Sequence, residues 1–106
     1  MAGLAGVWPP LGQAVTRLLD AAHRAGIPAQ LTSGVRTHAQ QRALWRRYLA
    51  GMNPYPVAPP GTSDHELGLA VDIWAGSDEL TDLLGRTWVA WGGSWSTRDR
   101  VHFTVR

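Results

Sequence analysis

The chain contains no cysteine, and this removes two of the devices that hold small domains together, disulfides and thiolate zinc clusters. Its 106 residues suffice for one hydrophobic core and not for two. Residues 1–106 are therefore expected to form a single domain stabilised by packing alone, and any metal must be held by His, Asp or Glu. Hydrophobic residues make up 44% of the chain and charged residues 17%, a balance that folds and excludes the disordered, collagenous and coiled-coil classes.

Charge narrows the partners. The pI near 9.9 resembles that of a nucleic-acid binder, yet ten Arg, no Lys and eight acids leave a net charge of only +2. The high pI mostly reflects the pKa of arginine. Residues 1–50 hold six Arg against Asp20, whereas residues 51–106 hold four Arg against seven acids. An Arg-rich stretch with Arg42, Arg46 and Arg47 has no interleaved aromatic-basic motif, so it reads as a solvated helix face and no nucleic-acid partner is expected. No apolar run approaches the ~20 residues of a membrane span, and MAGLAGVWPP lacks the basic flank and cleavage pattern of a secretory signal. The expectation is a monomer without membrane insertion, its export route open.

Periodicity predicts the elements. Leu11, Ala14, Val15, Leu18, Leu19 and Ala22 fall at helical spacing after Pro9 and Pro10, with Gly26 as the stop and His23 as a surface residue. Ala29 to Ser33 reads as a strand. Thr37 with Gln40 has the form of a capping box for a second helix, which ends at Gly51 and has a partial buried stripe of Ala43, Leu44 and Tyr48. His38 in its first turn reads as solvated. Residues 52–62, with four prolines and a glycine, read as a surface loop. A half-buried strand follows, alternating Leu69, Val71 and Ile73 with Ala70, Asp72 and Trp74. Ser77 caps a third helix containing Leu80, Leu83, Leu84 and Trp88, weakened by Gly85, and WGGSW turns the chain into a last strand over Val101–Val105. Trp74, Trp88 and Trp91 are expected in the core or a cleft wall.

His65 stands in a Gly-punctuated turn and Asp72 on the strand after it, and a reversal at Gly68 can bring the two side chains together. Alone, such a pair is as readily a capping or solvated pair. His102 then projects from the last strand on the polar face, so one loop and two strands can supply His65, Asp72 and His102. Two imidazoles and one carboxylate make a three-ligand zinc site whose fourth position is left for water, which points to catalysis of amide hydrolysis. Asp99, three residues before His102, is the candidate proton carrier; the alternative pairs it with Arg98 or Arg100 on the surface. Arg36, after Gly34, is the candidate cation for a developing oxyanion, or else an ordinary exposed arginine.

The series TSGVRT with Gln41, then S-x-H-x-x-G-x-A-x-D over 63–72, then WGGSW and D-x-x-H-F over 91–103, resembles the zinc D-Ala-D-Ala carboxypeptidases and L-alanyl-D-glutamate endopeptidases. These belong to the hedgehog-like metallopeptidase group, which includes vancomycin-resistance peptidases and phage endolysins. The resemblance runs from about residue 11 to 106. It implies an α+β fold in which a small antiparallel sheet carries the zinc and helices pack on one side. It also implies His65, Asp72 and His102 as Zn2+ ligands, Asp99 as general base and acid, Arg36 on the substrate carbonyl, and Ser63 contacting the peptide or bracing the site. The implied substrate is a peptidoglycan stem peptide, and the implied place of action is the cell wall.

Three positions depart from or divide the group's pattern. Val35 stands where an aromatic is frequent and Thr104 where Glu is frequent, while Asp at 99 matches the endopeptidase and endolysin branch, where the dipeptidase branch typically has Glu, and this tilts the expectation towards endolysin-like chemistry. The competing expectation is a catalytically silent, zinc-bearing binding module of the same fold, against which the joint presence of Asp99 and Arg36 argues.

Overall fold

Two prolines open the first helix. In the computed structural model, which describes residues 3–54 and 56–105, α1 spans Pro9–Arg24 with Pro at its first two positions. Their missing N–H groups fall where a helix has no intrahelical acceptor, so the helix starts two residues earlier than its apolar pattern indicates. Leu11, Val15, Leu18 and Ala22 are its buried stripe. The turn past its end closes with Gly26 at φ +78°, with the Gly26 N–H donating to His23 O at 3.0 Å and the Ile27 N–H to Ala22 O at 2.9 Å. The same pair of bonds, built on Gly51 and Gly92, ends the other two helices. His23 is exposed as expected, and its Nε2 lies 2.7 Å from Ala29 O, across the turn into the first strand.

Three short strands form one antiparallel sheet in the order β1 (Gln30–Ser33), β2 (Ala70–Trp74), β3 (His102–Thr104). Between them lie α2 (His38–Leu49), α3 (Asp78–Ala90) and a 3-10 turn, Thr97–Asp99. The capping box of Thr37 and Gln40 is present, and Ser77 caps α3 by accepting from the Leu80 N–H. The last strand is shorter than its alternation indicates, though Phe103 is fully buried and Val101 and Val105 are partly so. Tyr55 of the Pro-rich loop lies outside the described residues.

Val71, Ile73 and Phe103 turn one sheet face onto α1 and onto Leu84 and Trp88 of α3. Each such fully buried side chain contributes about 1.5–3 kcal/mol. Trp88 meets Phe103 edge-on at 6.1 Å between centroids, and its indole N–H donates to Thr104 O at 2.9 Å. Gly85 weakens α3 for a packing reason: a Cβ there would overlap the indole of Trp95, which lies against Phe103.

Two expectations need correction. Ala43 and Tyr48 are exposed and Leu44 only half-buried, and the one buried residue of α2 is Gln41. No residue of α2 joins the apolar core, so this helix serves as a wall and not as a core element. Trp74 and Trp91 are 37% and 50% exposed. Trp88 is in the core and Trp91, though exposed, walls a small cleft with Trp8, Leu11 and Trp88, so only Trp74, which faces outward at the strand end, departs from the expectation. Among the described residues, no helix is long and apolar enough to cross a membrane.

Candidate metal centre

Three backbone devices aim the polar residues at one point. The first is a bulge: Leu31 lies opposite Ile73 and Ser33 opposite Asp72, so β1 carries one extra residue and its end turns. This places the Gly34 carbonyl 3.0 Å from His65 Nδ1, while the Arg36 N–H donates to His65 O at 3.2 Å. The second is the 63–68 turn, where Ser63 Oγ accepts from the His65 N–H at 3.2 Å. Gly68 closes that turn at φ +73°, with Gly6 O only 2.6 Å from where a Cβ would sit, so only glycine fits. The third is strand register, which sets Asp72 directly opposite His102.

The resulting atoms converge. His65 Nε2 lies 3.0 Å from Asp72 Oδ1 and 3.3 Å from His102 Nδ1, and His102 Nδ1 lies 3.7 Å from the same carboxylate oxygen. Gly34 O can only accept, so Nδ1 of His65 carries the proton, and Nε2 is the ring nitrogen that faces inward and is available to a metal. Electron pairs from two imidazoles and a carboxylate thus face one another, an arrangement that needs a proton or a cation among them. One ligand atom from each of the three residues falls within 4.8 Å of the others. Two nitrogens and one oxygen suit a divalent ion such as zinc with a coordination position to spare.

Electrostatics follow from this crowding. Burial pushes the Asp72 carboxyl up, but His102, His65 and Arg36 outweigh it and hold the group at about 2. For His102 burial opposes the charge, yet the facing Asp72 and the nearby Asp99 raise its pKa above the ordinary value. The carboxyl of Asp99 is raised by burial and then by the negative charge of Asp72.

The sequence-predicted residues come together in a cleft of about 510 Å³ walled by Arg36, Ser63, His65, Asp72, Asp99 and His102. Asp99 ends the 3-10 turn, and Arg100, offered as its surface partner, reaches Asp82 at 2.9 Å and Asp78 at 3.3 Å. Arg36 is not an ordinary exposed arginine. It donates to Asp72 Oδ2 at 2.8 Å and to Gln41 Oε1 at 3.2 Å, so its guanidinium is clamped beside the group of His65, Asp72 and His102. Sequence reasoning assigned no role to Gln41. It is 1% exposed, and its Nε2 donates to Ala58 O at 2.8 Å, tying Arg36 to the Pro-rich loop that walls the cleft. The available signal was a lone polar residue on the inward side of α2.

Known proteins resemble the chain in sequence and in fold. The family model for VanY, D-alanyl-D-alanine carboxypeptidase, matches residues 7–103. A bifunctional D-Ala-D-Ala dipeptidase and D-Ala-D-Ala carboxypeptidase, VanXYC of Enterococcus gallinarum, is 37% identical over 59 residues, which are 52% of this chain and 31% of that protein. The match thus spans about a third of the relative's length. Among solved structures, a vancomycin-resistance D,D-pentapeptidase VanY variant from the VanB-type cassette, in complex with Zn(II), superposes with a TM-score of 0.75 at 25% identity, over 94% of this chain and 73% of that one. VanYB in complex with D-alanine-D-alanine gives 0.74 at 25% identity, over 92% and 70%. With a family-model match over nearly its whole length and a His, Asp, His group lining its cleft, the chain belongs to the VanY D-alanyl-D-alanine carboxypeptidase family.

Proposed function

We propose that the chain is a zinc-dependent peptidase that hydrolyses an amide bond in peptidoglycan stem peptides, with the terminal D-Ala-D-Ala bond as first target, acting at the wall outside the cytoplasmic membrane. The observation that carries this reading is the inward convergence of His65, Asp72 and His102 in one cleft with Asp99. His65 Nε2, Asp72 and His102 Nδ1 would hold the zinc. Zinc held there supplies Lewis acidity, which acidifies water and polarises an amide carbonyl.

The chain's own residues do the rest. Asp99, whose raised pKa suits proton exchange, takes the proton of the attacking water and returns it to the leaving nitrogen. Arg36, fixed through two of its N–H groups, directs its remaining donors to the carbonyl oxygen as charge develops there. Ser63 braces the turn that presents His65 and lines the peptide's bed.

Cleavage after L-Ala is the second reading, favoured by Asp in place of Glu at position 99. Mass spectrometry of muropeptides incubated with zinc-loaded protein, beside Asp99→Ala, separates the two. We expect free D-Ala from the native chain, with turnover falling about 10²–10⁴-fold in the variant at unchanged zinc content. Products cut after L-Ala establish the endopeptidase instead. Bound zinc without product on several wall types replaces both with the silent binding module.

A further inference from the structure

Resting on the peptidase reading, we propose that the groove between α2 and the end of β1 is a second, charge-selective subsite. It takes the part of the stem peptide remote from the scissile bond and reads a free carboxylate there through Arg47. The groove measures about 610 Å³, larger than the metal cleft, and Arg36 and Leu44 wall both. A peptide seated in the cleft can therefore continue into the groove past these two residues.

Direction follows from the chemistry. Asp99 must stand at the leaving nitrogen, and a separate recess of about 290 Å³ is walled by Asp99 and His102 without Arg36. The leaving amino acid goes to that recess, so the acyl part of the peptide runs the other way, past Arg36. There Val35, Ala43 and Leu44 offer an apolar wall suited to alanine methyls, and β1 is an edge strand of the sheet, with Ser33 and the following Gly34 lining the groove beside Gly3 and Ala5.

The cation is the selective element. Helix α2 contains no acid, and among the described residues no carboxylate pairs with Arg47, whereas Arg36 and Arg100 are both held by aspartates. An exposed, unpaired guanidinium beside an apolar wall fits a peptide in which alanine neighbours a glutamate with a free carboxylate.

The test measures steady-state kinetics of the zinc-loaded chain on three substrates: a stem pentapeptide with a free glutamate carboxylate, its amidated form, and a short acylated D-Ala-D-Ala. We expect Arg47→Gln to raise KM about threefold and Arg47→Glu about tenfold on the carboxylate form at low salt, with kcat unchanged, the order expected of exposed charge pairs. The amidated and short substrates should not respond, and added salt should shrink the effect. Arg46→Glu, an equal charge change on the same helix outside the groove, should leave all three unchanged. Equal KM changes across the substrates, no change on any, or the same effect from Arg46→Glu overturns the subsite while leaving the peptidase intact. A native chain that cuts none of the three overturns both.

Discussion

Gly68→Ala, compared with Gly51→Ala, tests the turn that carries His65. The two glycines share a backbone conformation, φ +73° and +72°, but a Cβ at Gly51 meets nothing within 4 Å, while at Gly68 it falls 2.6 Å from Gly6 O. Alanine in a left-handed conformation costs about 1–2 kcal/mol, and the loss of unfolded-chain entropy offsets about 0.4–1 kcal/mol of that. Gly51→Ala should therefore destabilise by about 1 kcal/mol. At Gly68 the obstacle is a main-chain oxygen held by a segment whose Trp8 N–H donates to Gly68 O at 2.9 Å, so it cannot swing aside as a side chain would. Overpacking of this kind adds about 1–3 kcal/mol, for a total of about 2–4 kcal/mol. With an m value of about 1.5 kcal/mol/M, the urea midpoint falls by about 0.7 M in Gly51→Ala and by about 1.3–2.7 M in Gly68→Ala. Urea unfolding followed by tryptophan fluorescence reads both. Saturating zinc should recover less stability in Gly68→Ala, because the displaced turn carries one of the three proposed ligands. Equal midpoint shifts in the two variants would refute the close approach of Gly6 and with it the account of how His65 is aimed.

Two further outcomes follow from the same geometry. His102 titrates above its ordinary 6.5 in the zinc-free protein, and a proton on Nδ1 excludes a metal; zinc affinity is thus full above that raised pKa and declines as pH falls through it. Asp72, ionised down to about 2, plays no part in the decline. Calorimetric zinc titrations over a pH series should place the onset of the loss above 6.5, and an onset below that value contradicts the assignment. Gln41→Leu leaves an Arg36 N–H and the Ala58 carbonyl without their partners, which should cost about 1–3 kcal/mol in unfolding measurements. It should also lower kcat/KM by loosening Arg36 and the loop wall together; unchanged kinetics would show that Arg36 needs no such support.

Local chemistry was readable before any fold was known. Thr37 with Gln40, Ser77 with its acidic first turn, and the glycines at 26, 51 and 92 act within a few residues, through backbone bonds that the sequence itself positions. The spacing S-x-H-x-x-G-x-A-x-D was readable for the same reason, since one turn and one strand bring His65 to Asp72. Periodicity misled where burial depends on what lies opposite. Helix α2 has an apolar pattern of sorts, but no core element faces it, so Ala43 and Tyr48 stay exposed.

What the amino-acid sequence indicated by itself was a cysteine-free α+β arrangement and a candidate metal-ligating set of His65, Asp72 and His102. Each of these rests on residue type and short-range order. Tertiary structure alone decided that Arg36 is clamped between Asp72 and Gln41, that Gln41 is buried to reach Ala58, and that Trp95 occupies the space Gly85 leaves open. These contacts join segments with no periodic relation in the chain, and their geometry exists only once α2, the Pro-rich loop and the sheet have packed together.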